Sequence, residues 1–258
     1  MAMPPKPPPA PAKGLQTSRP AVRGEALVLY GTGGIGKTSL AALAPAPVVF
    51  DLDNGLSALG VDVPAAEGVD DWAGLVATLE GPGFDAFRTV VIDTATVAEE
   101  WASKHTVETV PSDKGNRVKR IEDYGFGKGY THLFDTFLGL LHVLDKHRRA
   151  GRNVVLVAHD CWATVPNPQG DDYVRYEPRL YTAASGKNSI RCRVKEWADH
   201  VCFVGYDIDV KNGKGQGSGT RTIWVNEFPH CLAKSRRLRD SIFYEEGSTE
   251  LWTQLGWK

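Results

Sequence analysis

The sequence predicts an α/β fold: a mainly parallel sheet with helices on both faces, extended by antiparallel strands towards the C-terminus. Short apolar runs alternate with helical stretches through the first two-thirds of the chain, the pattern of parallel strands joined by helical crossovers. Runs such as ALVLY (26–30), TVVID (89–93) and NVVLVA (153–158) are apolar almost throughout, as strands covered on both faces require. The final third is rich in strand-forming segments around a glycine-rich turn. With 258 residues, 42% hydrophobic and 24% charged, the chain has apolar material for one large domain or two small ones.

The elements follow in order. Residues 1–20, MAMPPKPPPAPAKGLQTSRP, form a Pro/Ala tract carrying Lys6, Lys13 and Arg19 and no acid. Such a segment favours extended, solvated conformations, so residues 1–23 are expected to form a disordered tail and 24–258 one domain. A polyproline ligand for a partner is the alternative reading of the tail. The strand at 26–30 runs into a glycine-rich turn, and a helix over 38–44 is stopped by Pro45. Strands at 47–52 and 87–93 bracket a helix at 69–80, and a further helix runs from Thr94 to about Val110. The polar, glycine-punctuated stretch 112–129 reads as a loop. Tyr130 to Ala150 is the clearest helix: Leu133, Phe134, Phe137, Leu138, Leu141 and Leu144 recur at three- and four-residue steps, and Lys146, Arg148 and Arg149 suit its C-terminal dipole. A strand at 153–159 precedes a second long irregular segment, 160–195. Segments 198–210 and 220–226 predict an antiparallel hairpin, 230–235 and 241–246 further short strands, and 248–255 a closing amphipathic helix.

Composition excludes a wholly disordered, collagen-like or disulfide-stapled chain. The formal net charge of -1 advertises no overall affinity for nucleic acid, so any such surface must be local. Cys161, Cys192, Cys202 and Cys231 lack CxxC spacing and read as reduced thiols of a cytosolic protein. No apolar run has membrane-spanning length and no signal peptide is evident, so an intracellular, soluble protein without a membrane partner is expected.

Gly31-Thr32-Gly33-Gly34-Ile35-Gly36-Lys37-Thr38 fits G-x-x-x-x-G-K-[ST] at every fixed position, after a strand and before a helix, and Ser39 continues the stretch. Glycines let the backbone wrap close enough for its N–H groups to point at phosphate oxygens. Lys37 is expected to reach the β- and γ-phosphates of ATP and Thr38 to ligate Mg²⁺. Asp93, ending a buried strand, is the second magnesium residue; in isolation it would equally serve as a helix cap. Asp93 is followed by Thr94 rather than by a second acid, unlike the usual pair of AAA+ proteins, and no Asn-Lys-x-Asp motif points to GTP. The strand after the P-loop helix ends in Asp51-Leu52-Asp53, which places an acid where a water-activating base could sit. The strand at 153–159 ends in His159, positioned to sense the γ-phosphate.

These parts, in this order, resemble the RecA-like ATPase core, and more narrowly the short phage-encoded RecA-like proteins labelled phage nucleotide-binding proteins, which include single-strand annealing proteins. The resemblance covers about Ala26 to Gly247 and rests on LVLYGTGGIGKTSLAA, VVFDLDNGL, TVVIDT, VVLVAHD and CLAKSRRLRDSIFYEEG. It implies that Asp53 stands where such proteins carry a catalytic glutamate, and His159 where bacterial RecA carries a glutamine. It also implies that Lys234 and Arg236 reach a neighbouring subunit's γ-phosphate in a ring or filament, and that segments 112–129 and 160–195 contact DNA. The composition of those segments supports that use. The first carries Arg117, Lys119, Arg120 and Lys128; the second interleaves Trp162, Arg175, Tyr176, Arg179, Lys187, Arg191 and Arg193. Cations neutralise phosphates, and aromatic rings stack on unpaired bases. The resulting expectation is an oligomeric ATPase of the bacterial cytoplasm that binds single-stranded DNA, promotes annealing or recombination, and works beside a single-stranded DNA-binding protein. A helicase-like or helicase-loading ATPase, a small-molecule kinase and a nucleotide-switched protein-binding module are the alternatives.

Overall fold

The computed structural model describes residues 22–60, 62–183, 186–211 and 214–258; most of the expected tail, residues 1–21, lies outside them. A nine-stranded sheet organises the described residues. Its parallel part is β2 (Pro47–Asp51), β3 (Thr89–Asp93), β4 (Asn153–Val165), β1 (Ala26–Gly31) and β6 (His200–Lys211), in that spatial order. β7 (Lys214–Trp224) extends it antiparallel to β6, and β9 (Ile242–Tyr244) lies outside β7 and antiparallel to it. β5 (Tyr173–Pro178) pairs antiparallel with the end of β4, and the two-residue β8 (Lys234–Ser235) with the start of β6. The chain thus has an α/β core built on a mainly parallel sheet.

Apolar side chains of β1 alternate between two cores because successive strand residues face opposite ways. Ala26, Val28 and Tyr30 face a core beneath α3 (Trp72–Glu80), α4 (Ala95–Thr109) and α5 (Lys128–Arg149). Leu27 and Leu29 face the other core, beneath α1 (Lys37–Ala42) and α7 (Glu250–Leu255). Short helices α2 (Leu56–Leu59) and α6 (Ile190–Trp197) and a 3₁₀ turn at Ile121–Tyr124 complete the fold. On α5, Leu133, Phe137, Leu141 and Leu144 are buried as their spacing predicts, whereas Arg148 is buried rather than solvated at the helix end. No helix among the described residues is long and apolar enough to cross a membrane.

The segment expected to be irregular, 160–195, is instead regular over much of its length. β4 continues through Val165 and pairs with β5, and α6 follows. Residues 112–127 form a loop interrupted by the 3₁₀ turn, and α5 begins at Lys128, two residues before the expected start. β7 begins earlier than expected, and the strand expected over 230–235 contracts to β8.

Candidate nucleotide site

The P-loop leaves the C-terminal end of β1, where Gly31 is in register with His159 of β4 and Val204 of β6. Gly34 and Gly36 adopt positive φ of 75° and 100°, a region that costs other residues a steric clash. At Gly36 a Cβ would also come within 2.7 Å of the Tyr244 hydroxyl. Thr32, Gly33 and Gly34 are open to solvent, while Ile35 is fully buried and anchors the loop in the core. Thr38 and Ser39, in the first turn of α1, are half-buried. Lys37 is buried and donates from Nζ to the carbonyls of Gly31 and Thr32, both at 2.8 Å. Burial pulls its ammonium below the usual lysine range, against the opposing pull of Asp93, Asp160 and Asp53. A phosphate anion would be a stronger partner for that ammonium than two neutral carbonyls.

Asp93 and Asp51 are register partners on β3 and β2. Asp51 is committed to structure: Oδ1 accepts from Gly55 N at 2.9 Å and Oδ2 from Leu56 N at 3.0 Å, fixing the turn that presents Asp53. Asp93 differs. It is 1% exposed, yet neither carboxylate oxygen has a hydrogen-bond partner. Burial first, then the charges of Asp53 and Asp51, push its carboxyl up to about 6; Thr38 and Lys37 pull the other way. A buried carboxylate without partners is expensive unless a cation completes it. Asp93 and Thr38 therefore fit a magnesium shell, with nucleotide phosphates and water supplying the remaining oxygens; bound there, the ion would neutralise charge between the phosphates. No group of three or more His, Cys, Asp or Glu among the described residues could hold a metal alone.

His159 and Asp53 meet across the C-terminal edge of the sheet, with Nε2 4.0 Å from Oδ2. His159 is braced by its backbone: its N–H donates to Thr96 Oγ1 at 3.2 Å, and its carbonyl accepts from Arg179 N at 2.8 Å. Burial, Lys37 and Arg179 hold the imidazole below its usual range, while Asp53 and Asp160 oppose them. A neutral imidazole beside a carboxylate can accept or donate a hydrogen bond to a water placed between them.

Several positioning residues escaped the sequence reading. Arg221 of β7 donates to the Ile35 carbonyl at 2.9 Å, and Tyr244 of β9 donates from its hydroxyl to the Gly36 carbonyl at 2.8 Å. Arg221 also lies 4.6 Å over the Tyr244 ring. Trp252 of α7 donates to the Leu40 carbonyl at 3.1 Å. A P-loop motif announces its own glycines; nothing in its spacing announces the distant side chains that fix them.

The residues expected to contact DNA separate into groups. Arg117, Lys119, Arg120, Arg179, Lys187 and Arg193 are exposed. Lys128 is exposed but paired with Asp113. In the β4–β5 hairpin, strand periodicity sorts the interleaved cations and aromatics onto opposite faces. Trp162 is the register partner of Tyr176, and Ala163 of Arg175. Arg175 pairs with Glu177 at 2.8 Å and Glu227 at 2.5 Å, and Arg191 with Glu177 at 2.7 Å. Tyr176 stacks on Phe203 at 5.0 Å, whereas Trp162 is 76% exposed. Lys234 and Arg236 lie beside the start of β6, where Val201 pairs with Lys234 and Asp199 stands 3.4 Å from Arg236. That is the opposite end of the sheet from the chain's own P-loop.

A family model described as an AAA domain matches residues 23–237. No curated protein sequence matches the chain. Among solved structures, a KaiC-like protein from the hyperthermophilic archaeon Pyrococcus horikoshii OT3 is similar at 15% identity and a TM-score of 0.44, over 88% of each chain. The family match spans most of the chain and includes the P-loop, Asp53, Asp93 and His159: the chain belongs to the AAA domain family and is a P-loop ATPase.

Proposed function

We propose that this ATPase binds single-stranded DNA and acts in annealing or recombination, as the phage-encoded proteins it resembles would, with Mg²⁺-ATP turned over between subunits. In this reading Lys37 binds phosphate, Asp53 orients the attacking water, and His159 senses the γ-phosphate. The observation that carries it is continuity: His159, 4.0 Å from Asp53, belongs to the same β4 strand that continues into the hairpin bearing Trp162. A change at the γ-phosphate therefore acts on a rigid ladder rather than on a slack loop. The exposed Arg117, Lys119 and Arg120 supply phosphate-binding charge, and exposed Trp162 a stacking surface. Along the strand direction Lys234 and Arg236 stand about 10 and 17 Å back from the Gly31 end of β1, which favours their use on a neighbour.

The test is steady-state ATPase with and without a thymidine oligonucleotide. Oligonucleotide is expected to raise the rate severalfold in the parent protein and to leave His159→Ala unstimulated. A rate indifferent to DNA at saturating oligonucleotide would remove the DNA reading and leave the P-loop ATPase.

A further inference from the structure

Between the β4–β5 and β6–β7 hairpins lies an open cavity of about 900 Å³, beside the nucleotide site but distinct from its reacting groups. Its walls are aromatic: Tyr176 and Trp224 both stack on Phe203, at 5.0 and 5.5 Å. Trp162 and Tyr206 on its margin are 76% and 44% exposed. Exposed rings around a cavity of this size mark a contact surface.

Among the described residues the charged ones lining the cavity are Asp160, Asp207 and Asp209, with neither lysine nor arginine. Burial holds His230, also in the wall, below its usual range, so it adds no cation at neutral pH. Aromatic faces and carboxylates both attract cations.

The chain carries a segment of matching chemistry. Residues 1–20 hold seven prolines, Lys6, Lys13 and Arg19, and no acid. Proline-rich segments pre-organised as polyproline helices dock in grooves lined by tyrosine and tryptophan. We propose that this cavity is the docking site of the chain's own N-terminal segment, with prolines against Trp162 and Tyr206 and lysines against Asp207 and Asp209. Length permits it. The chain enters the fold at Arg23, 3.7 Å from Asp199 at the start of β6. The cavity lies about 20 Å away, along β1. Nine extended residues between Lys13 and Val22 span about 28 Å. Thr32 forms part of the wall, so a docked segment adjoins the P-loop. The inference does not rest on DNA binding.

Carbodiimide coupling, which joins lysine amines directly to carboxylates, tests it in the full chain. Lys146 and Glu80, 2.6 Å apart, provide a positive control. Peptide mapping is expected to find Lys6 or Lys13 joined to Asp207 or Asp209. The yield should fall about tenfold in Trp162→Ala/Tyr206→Ala, as loss of an aromatic contact implies, while the control link persists and reports an intact fold. The proposal fails if the control forms without tail links. It fails equally if the double variant keeps its tail links at full yield. Links found only between isotopically distinct copies would assign the cavity to another chain's tail and overturn own-chain docking. Protection of Trp162 from oxidation by a thymidine oligonucleotide, with no tail links, would replace the peptide by a nucleobase.

Discussion

Buried carboxylates stand at both ends of the parallel sheet, under opposite conditions. At the end where the strands begin, Asp199 is 4% exposed and fully partnered: it accepts from Ala26 N at 3.0 Å and pairs with the buried guanidinium of Arg148. Arg148 also reaches Asp145 at 3.0 Å and the Gly24 carbonyl at 3.3 Å, and lies 5.0 Å from the centre of the Trp197 ring. At the end where the strands finish, Asp93 is as deeply buried and has no partner. The first arrangement is closed and holds the fold. The second is open, and its cost is justified only by a ligand that completes it.

Breaking the closed end should have the largest effect on stability. Arg148→Ala leaves Asp199 desolvated and underpaired, and is expected to cost about 3–5 kcal/mol in a denaturant titration, with the Lys37-dependent nucleotide site still assembled in whatever fraction stays folded. A loss below about 1 kcal/mol would mean that the pair is replaceable by water and that the contrast between the ends is shallow.

Asp93→Asn sharpens the contrast from the other end. Turnover is expected to fall about 10²–10³-fold, the scale of losing one preorganised electrostatic group, while nucleotide-free stability at neutral pH is held or increased. The pH dependence follows in sign. Folding raises the Asp93 carboxyl from 3.8 to about 6, so the folded chain holds the extra proton between those values. Stability therefore declines as pH rises through that window, and the deficit is complete above it. Magnesium-nucleotide should thus raise the melting temperature more at pH 7.5 than at pH 5, a difference the Asn variant lacks; these pH values stand about one to two units either side of the window's upper edge. An equal shift at both pH values would place the ion elsewhere.

Tyr244→Phe is the smallest perturbation. It removes one hydrogen bond to the Gly36 carbonyl and leaves the ring packed, for an expected loss of about 1 kcal/mol and up to about tenfold in nucleotide affinity. Calorimetric titration with ATP measures it; unchanged affinity would make the hydroxyl a bystander.

The comparison also explains what could be read from the chain. β1, β2, β3 and the first part of β4 are apolar on both faces, and no competing reading suits such runs. The P-loop announces itself because its chemistry needs fixed residues at fixed spacing. Asp53 and His159 were reachable because Asp53 follows the end of β2 by two residues and His159 is level with Gly31, the last residue of β1, at the edge where the parallel strands converge. The hairpin of β4 and β5 was misread because its composition mixes rings, cations and acids. Taken along the chain these look like a solvated loop; taken two residues at a time they are a charged face tied to Glu177 and an aromatic face against Phe203. The buried pair of Arg148 and Asp199, 51 residues apart, leaves no local trace. A terminal arginine on a helix looks the same whether it meets water or a buried acid.

The hold of Arg221, Tyr244 and Trp252 on the P-loop and its helix has a consequence for biosynthesis. These contacts join residues 35–40 to residues made some 186–212 positions later. A nascent chain thus displays the complete phosphate-binding motif long before it owns the side chains that set the motif's shape. Competence to grip nucleotide arrives only once β7, β9 and α7 have left the ribosome. A polypeptide released before Arg221 carries the signature of the site without its clamp and, in a cell full of ATP, gains none of the stabilisation that tight nucleotide binding gives the finished protein.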